Sequence, residues 1–148
     1  MKQIVLVLSL FVSSCIMLSA QDMTAEQIYE TLQSYEWSNP TFTTPYSFSF
    51  SATVFHHRIF KSENSYYEGD ADYYLSDTAD TEFVASKMGH AQGSRYIVRR
   101  DHGNRSWWLE IMAITPEHLT LRSSSNVILE LTARPKQRIT PKEFWHFE

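Results

Sequence analysis

WWLEIMAITPEHLTLRSSSNVILELTA, from Trp107 to Ala133, holds three alternating apolar–polar segments separated by two turn-forming stretches. Successive side chains of a strand point to opposite faces. Glu110 calls for water, which places Trp108 and Met112 outside with it and turns Trp107, Leu109, Ile111 and Ala113 inward. The second segment keeps this phase, with Leu119 and Leu121 inward and Thr120 and Arg122 outward. The third does the same, with Val127, Leu129 and Leu131 inward and Glu130 and Thr132 outward. Thr115-Pro116-Glu117 and Ser123 to Asn126 supply the turns. Three consecutive strands in one phase describe a sheet with one buried face.

Upstream the same period continues. Tyr46-Ser47-Phe48-Ser49-Phe50-Ser51 alternates aromatic rings with serines, a half-buried strand. Ala52 to Phe60 reads as a strand, or as a continuation past a bend. Tyr66 to Ser76 is a long strand. Glu68, Asp70, Asp72 and Tyr74 share one of its faces, and Tyr67, Gly69, Ala71, Tyr73 and Leu75 share the other. The acids require water, so Gly69 and Ala71 face inward, and an inward glycine marks a bend or leaves room. Glu82 to Lys87 and Arg95 to Arg99 complete about eight strands, with no helix between them. Short strands joined by turns predict an all-β antiparallel meander, closed as a barrel or folded as a sandwich. Its outer faces carry Ser, Glu, Asp, Thr and Arg, the reverse of a membrane-spanning barrel. Trp108 is the exception on that face. It is expected to lie under a terminal helix or to dock a partner.

The two ends follow a different grammar. Met1-Lys2 followed by IVLVLSLFVSSCIML and Ser19-Ala20 has the layout of a secretory signal. The expectation is cleavage after Ala20, leaving residues 21–148 as a single domain that is periplasmic or extracellular. The apolar run is short for crossing a bilayer, which takes roughly 20 residues. Val12-Ser13-Ser14-Cys15 leaves a second reading open, a lipoprotein anchored to a membrane through Cys15. With the later cut the chain loses its single cysteine, and disulfides and thiolate chemistry with it. Thr24 and Gln27 form a capping box that opens a helix containing Ile28 and Leu32. Thr140-Pro141-Lys142-Glu143 has the grammar of a second helix start, followed by Phe144, Trp145 and Phe147. These rings either pack on the barrel or dock a second protein.

The net charge of −4 gives no reason to expect nucleic acid. Arg95, Arg99, Arg100 and Arg105 cluster and are read as a solvated strand end facing the acids between Glu63 and Glu82. His56 and His57 resemble a metal pair, but adjacent strand residues diverge. His90 and His102 lack a supporting motif, and Asp70 and Asp72 lack the glycine and closing glutamate of a calcium loop. No nucleophile elbow, triad order or phosphate-binding glycine loop occurs among only four glycines. No catalytic residue, metal or cofactor is therefore expected.

The order of signal, short helix, tryptophan and meandering strands resembles the lipocalin-like (calycin) domains. The likeness is to the small exported versions common in Bacteroidetes, which end in an apolar strand, a short turn, an L-x-L segment and another strand. Here that run is Trp107 to Ala133, and the resemblance spans about Ser34 to Arg134. Lipocalins carry Gly-x-Trp on the first strand, and Tyr35-Glu36-Trp37 stands at that place with tyrosine for glycine. The resemblance implies an eight-stranded barrel. It also implies structural roles for Trp37, closing the base, and Arg134, covering that ring through a cation–π contact.

A barrel of eight strands either fills with side chains or holds one small ligand. Tyr46, Phe48, Phe50, Tyr73, Phe83, Tyr96, Trp107, Leu109 and Ile111 are read as interior. If a small apolar or amphipathic ligand binds, its contacts are expected from Phe48, Phe50, Tyr73, Tyr96 and Trp107. The alternative is a filled barrel acting through its outer surface or its aromatic tail.

Overall fold

A computed structural model describes residues 23–39, 45–62 and 64–136. The proposed signal, Cys15 and the aromatic tail lie outside the described residues. Helix α1, Ala25–Ser34, opens on the expected box: the Thr24 hydroxyl accepts from the Gln27 N–H at 3.2 Å, and the Gln27 side chain accepts from the Thr24 N–H at 2.9 Å. Eight antiparallel strands follow: β1 Glu36–Asn39, β2 Tyr46–Phe50, β3 Val54–Ser62, β4 Ser65–Ser76, β5 Tyr96–Arg100, β6 Ser106–Ile114, β7 His118–Ser123 and β8 Ile128–Arg134. Each pairs with its neighbour, and β1 also pairs with β8, so the chain forms a closed up-and-down barrel. This all-β architecture is the one expected and is compatible with a lipocalin-like fold.

The set of strands differs at two places from the alternation reading, the first of them agreeing with the first strand that the resemblance implies. Glu36–Asn39 is a strand because Trp37, fully buried, pairs between Phe48 and Ala133 and closes the sheet. Glu82 to Lys87 is not a strand; it ends in a single 3₁₀ turn, Ala85–Lys87. The long connection from β4 to β5 instead crosses the outside of those strands. Phe83, read as interior, lies 5.0 Å from the Tyr74 ring and under the Arg100 guanidinium. That cover is why Tyr74 and Val98 are buried although they face away from the core.

Asp80 ties this connection down. Its carboxylate accepts from the Tyr74 hydroxyl at 2.8 Å and the Lys87 Nζ at 2.9 Å, and from the Thr78 hydroxyl. Burial alone would raise the carboxyl, but these bonds outweigh it and bring the pKa down to about 2 from an ordinary 3.8. The folded value lies below the unfolded one. The stabilisation is therefore complete above about pH 4 and is lost as pH falls toward 2. Thermal melts across this window should show a shallower acid loss in Asp80→Asn than in the native protein. An unchanged slope would detach Asp80 from acid stability.

The tryptophan pair divides as the alternation requires. Leu109, beside Trp108, belongs to the core with Ile97, its partner on β5. Trp107 shares that inner face, and Trp108 lies outside, edge-on to the Tyr96 ring at 5.3 Å. Of the two terminal helices expected to cover Trp108, the C-terminal one lies outside the described residues, and α1 is placed elsewhere. It plugs one end of the barrel, where Ile28 and Leu32 join the core, and the Tyr29 hydroxyl donates to the Ala52 carbonyl. Further along β6 a bulge between Ile111 and Ala113 resets the phase. Ala113, read as inward, is exposed, and Ile114 is buried in its place opposite Leu119. Val127, also read as inward, precedes β8 and is exposed, while Leu131 is buried.

Candidate functional site

The barrel is filled at the α1 end and hollow at the other. Phe50, Phe55, Tyr73, Leu75 and Ile114 close the filled end with almost no exposure. The Tyr73 hydroxyl donates to the Ser51 carbonyl at 2.7 Å, so it serves the β2–β3 corner. Beyond Phe48 and Phe55 lies a cavity of about 870 Å³. Tyr46 and Phe48 from β2, Ile59 from β3 and Leu129 from β8 form its apolar side. Arg99 from β5 and Trp107 from β6 form the opposite wall, with His57 beside them.

The cavity has a lateral edge. Pairing of β4 with β5 starts only at Asp72 with Arg100, so Ser65 to Ala71 pair with β3 alone. The turn Asp101–Arg105 faces that stretch across the cavity mouth. Acids on this edge are already engaged. His56 contacts Glu68 at 3.5 Å and also Asp70, and Arg58 Nε donates to Glu68 at 3.2 Å.

His56 and His57 diverge as adjacent strand residues must: His56 lies on the outer ion network and His57 inside. Gly69 makes this possible. It stands opposite His57 in register, and a Cβ placed on it would come within 2.8 Å of the imidazole Cε1. The room left by the inward glycine is therefore used by a ring from the next strand. Burial, and then the nearby Arg99 charge, hold the His57 imidazole below its ordinary value, so it is neutral at pH 7. Gly69→Ala should push the ring into the cavity, at an overpacking cost of about 1–3 kcal/mol. A urea titration that matched the native protein would show that the ring yields freely.

Of the four clustered arginines three pair with acids, but only Arg100 does so with an acid of the expected stretch between Glu63 and Glu82. Arg95 pairs with Glu110 at 3.1 Å, Arg100 with Asp72 at 2.7 Å and Arg105 with Asp101 at 3.3 Å. Glu110 faces outward but is shielded by Arg95 and Arg122. Burial pushes its carboxyl up, and hydrogen bonds from the two arginines outweigh that and hold it low. Arg99 turns inward instead, its guanidinium 4.7 Å from the Phe55 ring and 4.8 Å from the Trp107 ring. Burial lowers its pKa to about 10, opposed by Asp101, which leaves it charged at neutral pH.

The five residues expected to touch a ligand are therefore distributed. Phe48 and Trp107 line the cavity, whereas Phe50 and Tyr73 lie in the filled end. Tyr96 lies on the outer face, because its neighbour Ile97 takes the inner position. Trp37 sits at the base, its indole N–H donating to the Leu32 carbonyl at 3.1 Å. The ring over it is Tyr35, edge-on at 5.6 Å. Arg134 pairs in register with Glu36, the neighbour of Trp37 on β1. His57 and Arg99 were missed as cavity residues. The signal for Arg99 was present only in the company it keeps, since YIVRR has apolar residues at three successive positions and no period of two.

Among the described residues no three His, Cys, Asp or Glu side chains group as metal ligands, and no helix is long and apolar enough to cross a membrane. No family model matches the chain, and neither a curated protein nor a solved structure matches it.

Proposed function

We propose that this chain is an exported lipocalin-like binding protein that holds one small amphipathic molecule in the hollow half of its barrel. The observation that carries this reading is the cavity of about 870 Å³ at the end opposite α1. It falls within the range of small-molecule sites, roughly 300–1,000 Å³, and combines apolar walls with a few inward polar groups. Export is supported by the signal-like pattern of Met1 to Ala20. Binding acts without catalysis in this reading, with the filled half serving as a rigid floor.

The test is titration of the folded protein with an environment-sensitive apolar dye and with a series of twelve-carbon amphiphiles, followed by tryptophan fluorescence. Saturable binding at one molecule per chain is expected. The fluorescence response should be lost in Trp107→Phe, while calorimetry still detects the ligand. If well-folded protein binds neither the dye nor any amphiphile, the reading fails in favour of an interaction domain working through its outer surface.

A further inference from the structure

Three polar atoms on the cavity wall are buried without a hydrogen-bond partner: Arg99 Nε, Trp107 Nε1 and His57 Nδ1. Buried polar groups in proteins are normally satisfied, and leaving one unpaired is costly, more so when it is charged. Three in one cavity, each on a different strand, form a convergent set of polar groups suited to a polar ligand group.

The charge balance gives the sign of that ligand. The acids near the mouth are committed elsewhere. Asp101 accepts from the Arg105 backbone N–H at 3.0 Å and pairs with its guanidinium, while Glu68 and Asp70 hold His56 and Arg58. Among the described residues no carboxylate lies within ion-pair distance of Arg99. Its guanidinium lies over the Phe55 and Trp107 rings, and a ring contact of this kind does not occupy the in-plane N–H donors.

Building on the binding reading above, we infer that the ligand carries a single anionic head group, a carboxylate, received by Arg99 and the indole N–H of Trp107. Its apolar body lies against Phe48, Ile59 and Leu129 on the opposite wall. A guanidinium fork matches a carboxylate with two parallel hydrogen bonds. One buried positive charge is balanced by one negative charge; a dianionic phosphate would bring a second charge into the cavity uncompensated. His57 is the third polar neighbour, and its Nδ1 can meet the head group directly or through water.

The experiment compares dodecanoate, 1-dodecanol, dodecyl phosphate and dodecyltrimethylammonium against the native protein, Arg99→Met, Arg99→Lys and Trp107→Phe. Each variant's folding is checked by its melting transition. The native protein should bind dodecanoate at least tenfold more tightly than dodecanol or dodecyl phosphate, and the cationic amphiphile least. Arg99→Met should remove the preference for dodecanoate over dodecanol while retaining dodecanol. Arg99→Lys should keep part of that preference. Trp107→Phe, which preserves the ring stack and deletes one donor, should reduce it severalfold and carries the test if the Arg99 variants fold poorly. Equal binding of dodecanoate and dodecanol by the native protein would overturn the head-group assignment and leave the binding function standing. Tighter binding of dodecyl phosphate would overturn the carboxylate alone. Failure of all four amphiphiles and of the dye would overturn both readings.

Discussion

Replacing Trp37 by alanine is expected to remove about 3–5 kcal/mol of stability, the range for truncating a fully buried large aromatic. Domains of this kind have only about 5–15 kcal/mol in total, so much of the population should unfold at moderate temperature. Trp37 is completely buried, and it joins three parts of the molecule. Its backbone stands between Phe48 and Ala133, where β1 closes the barrel against β2 and β8. Its indole N–H reaches the last turn of α1 through the Leu32 carbonyl. Its ring meets Tyr35 edge-on. The truncation therefore opens a cavity, strands a carbonyl and loosens the helical plug together. Trp107→Ala should cost less, because part of that ring already faces a hollow and has fewer contacts to lose. Trp108→Ala, on the outer face, should cost less again. Urea titrations followed by circular dichroism would rank the three, and a Trp37 loss no larger than that of Trp108 would refute the closing role.

Gly93→Ala should be nearly as damaging for the opposite reason. Gly93 is buried where the long connection returns to β5. A Cβ there would lie 2.1 Å from the Ser76 carbonyl carbon and 2.2 Å from the Asp77 nitrogen. Real atoms do not approach so closely, and both obstacles are main chain, so neither can swing aside. The segments must separate, which strains the bond from the Ser94 N–H to Asp77 at 2.8 Å and that from the Arg95 N–H to the Ser76 carbonyl at 3.2 Å. A loss of about 3 kcal/mol is expected, at the upper end for overpacking. A melting temperature within a degree or two of the native protein would show that the connection tolerates the shift. A contrasting substitution is Gly103→Ala, whose nearest neighbour would be the Asp101 carboxylate at 3.2 Å on an exposed turn, and a small effect is expected.

What the sequence determined by itself is the sheet and most of its facing. Alternation from Tyr46 to Phe50, from Ala71 to Leu75 and from Trp107 to Ile111 survives in the fold because one face of each strand must leave water, whereas Tyr67, read as inward, is more than half exposed. The capping box of α1 was equally legible, since its partners are three residues apart. Tertiary structure decided the rest. The inner phase of YIVRR depends on which side of β5 its neighbours present, and three apolar residues in a row carry no period. The bulge in β6 shifts Ala113 outward and Ile114 inward without a local signal. Phe83 and Tyr96 were large rings with nothing in their own segments to say that the outside would also be covered. The stagger of the closed barrel then determines how deep each inward residue lies. Phe50 and Tyr73 therefore fill the end that α1 plugs, while Phe48 and Trp107 border a cavity. Local periodicity specifies direction, whereas depth, and with it the placing of Arg99 and His57 around one hollow, arises only when β1 meets β8.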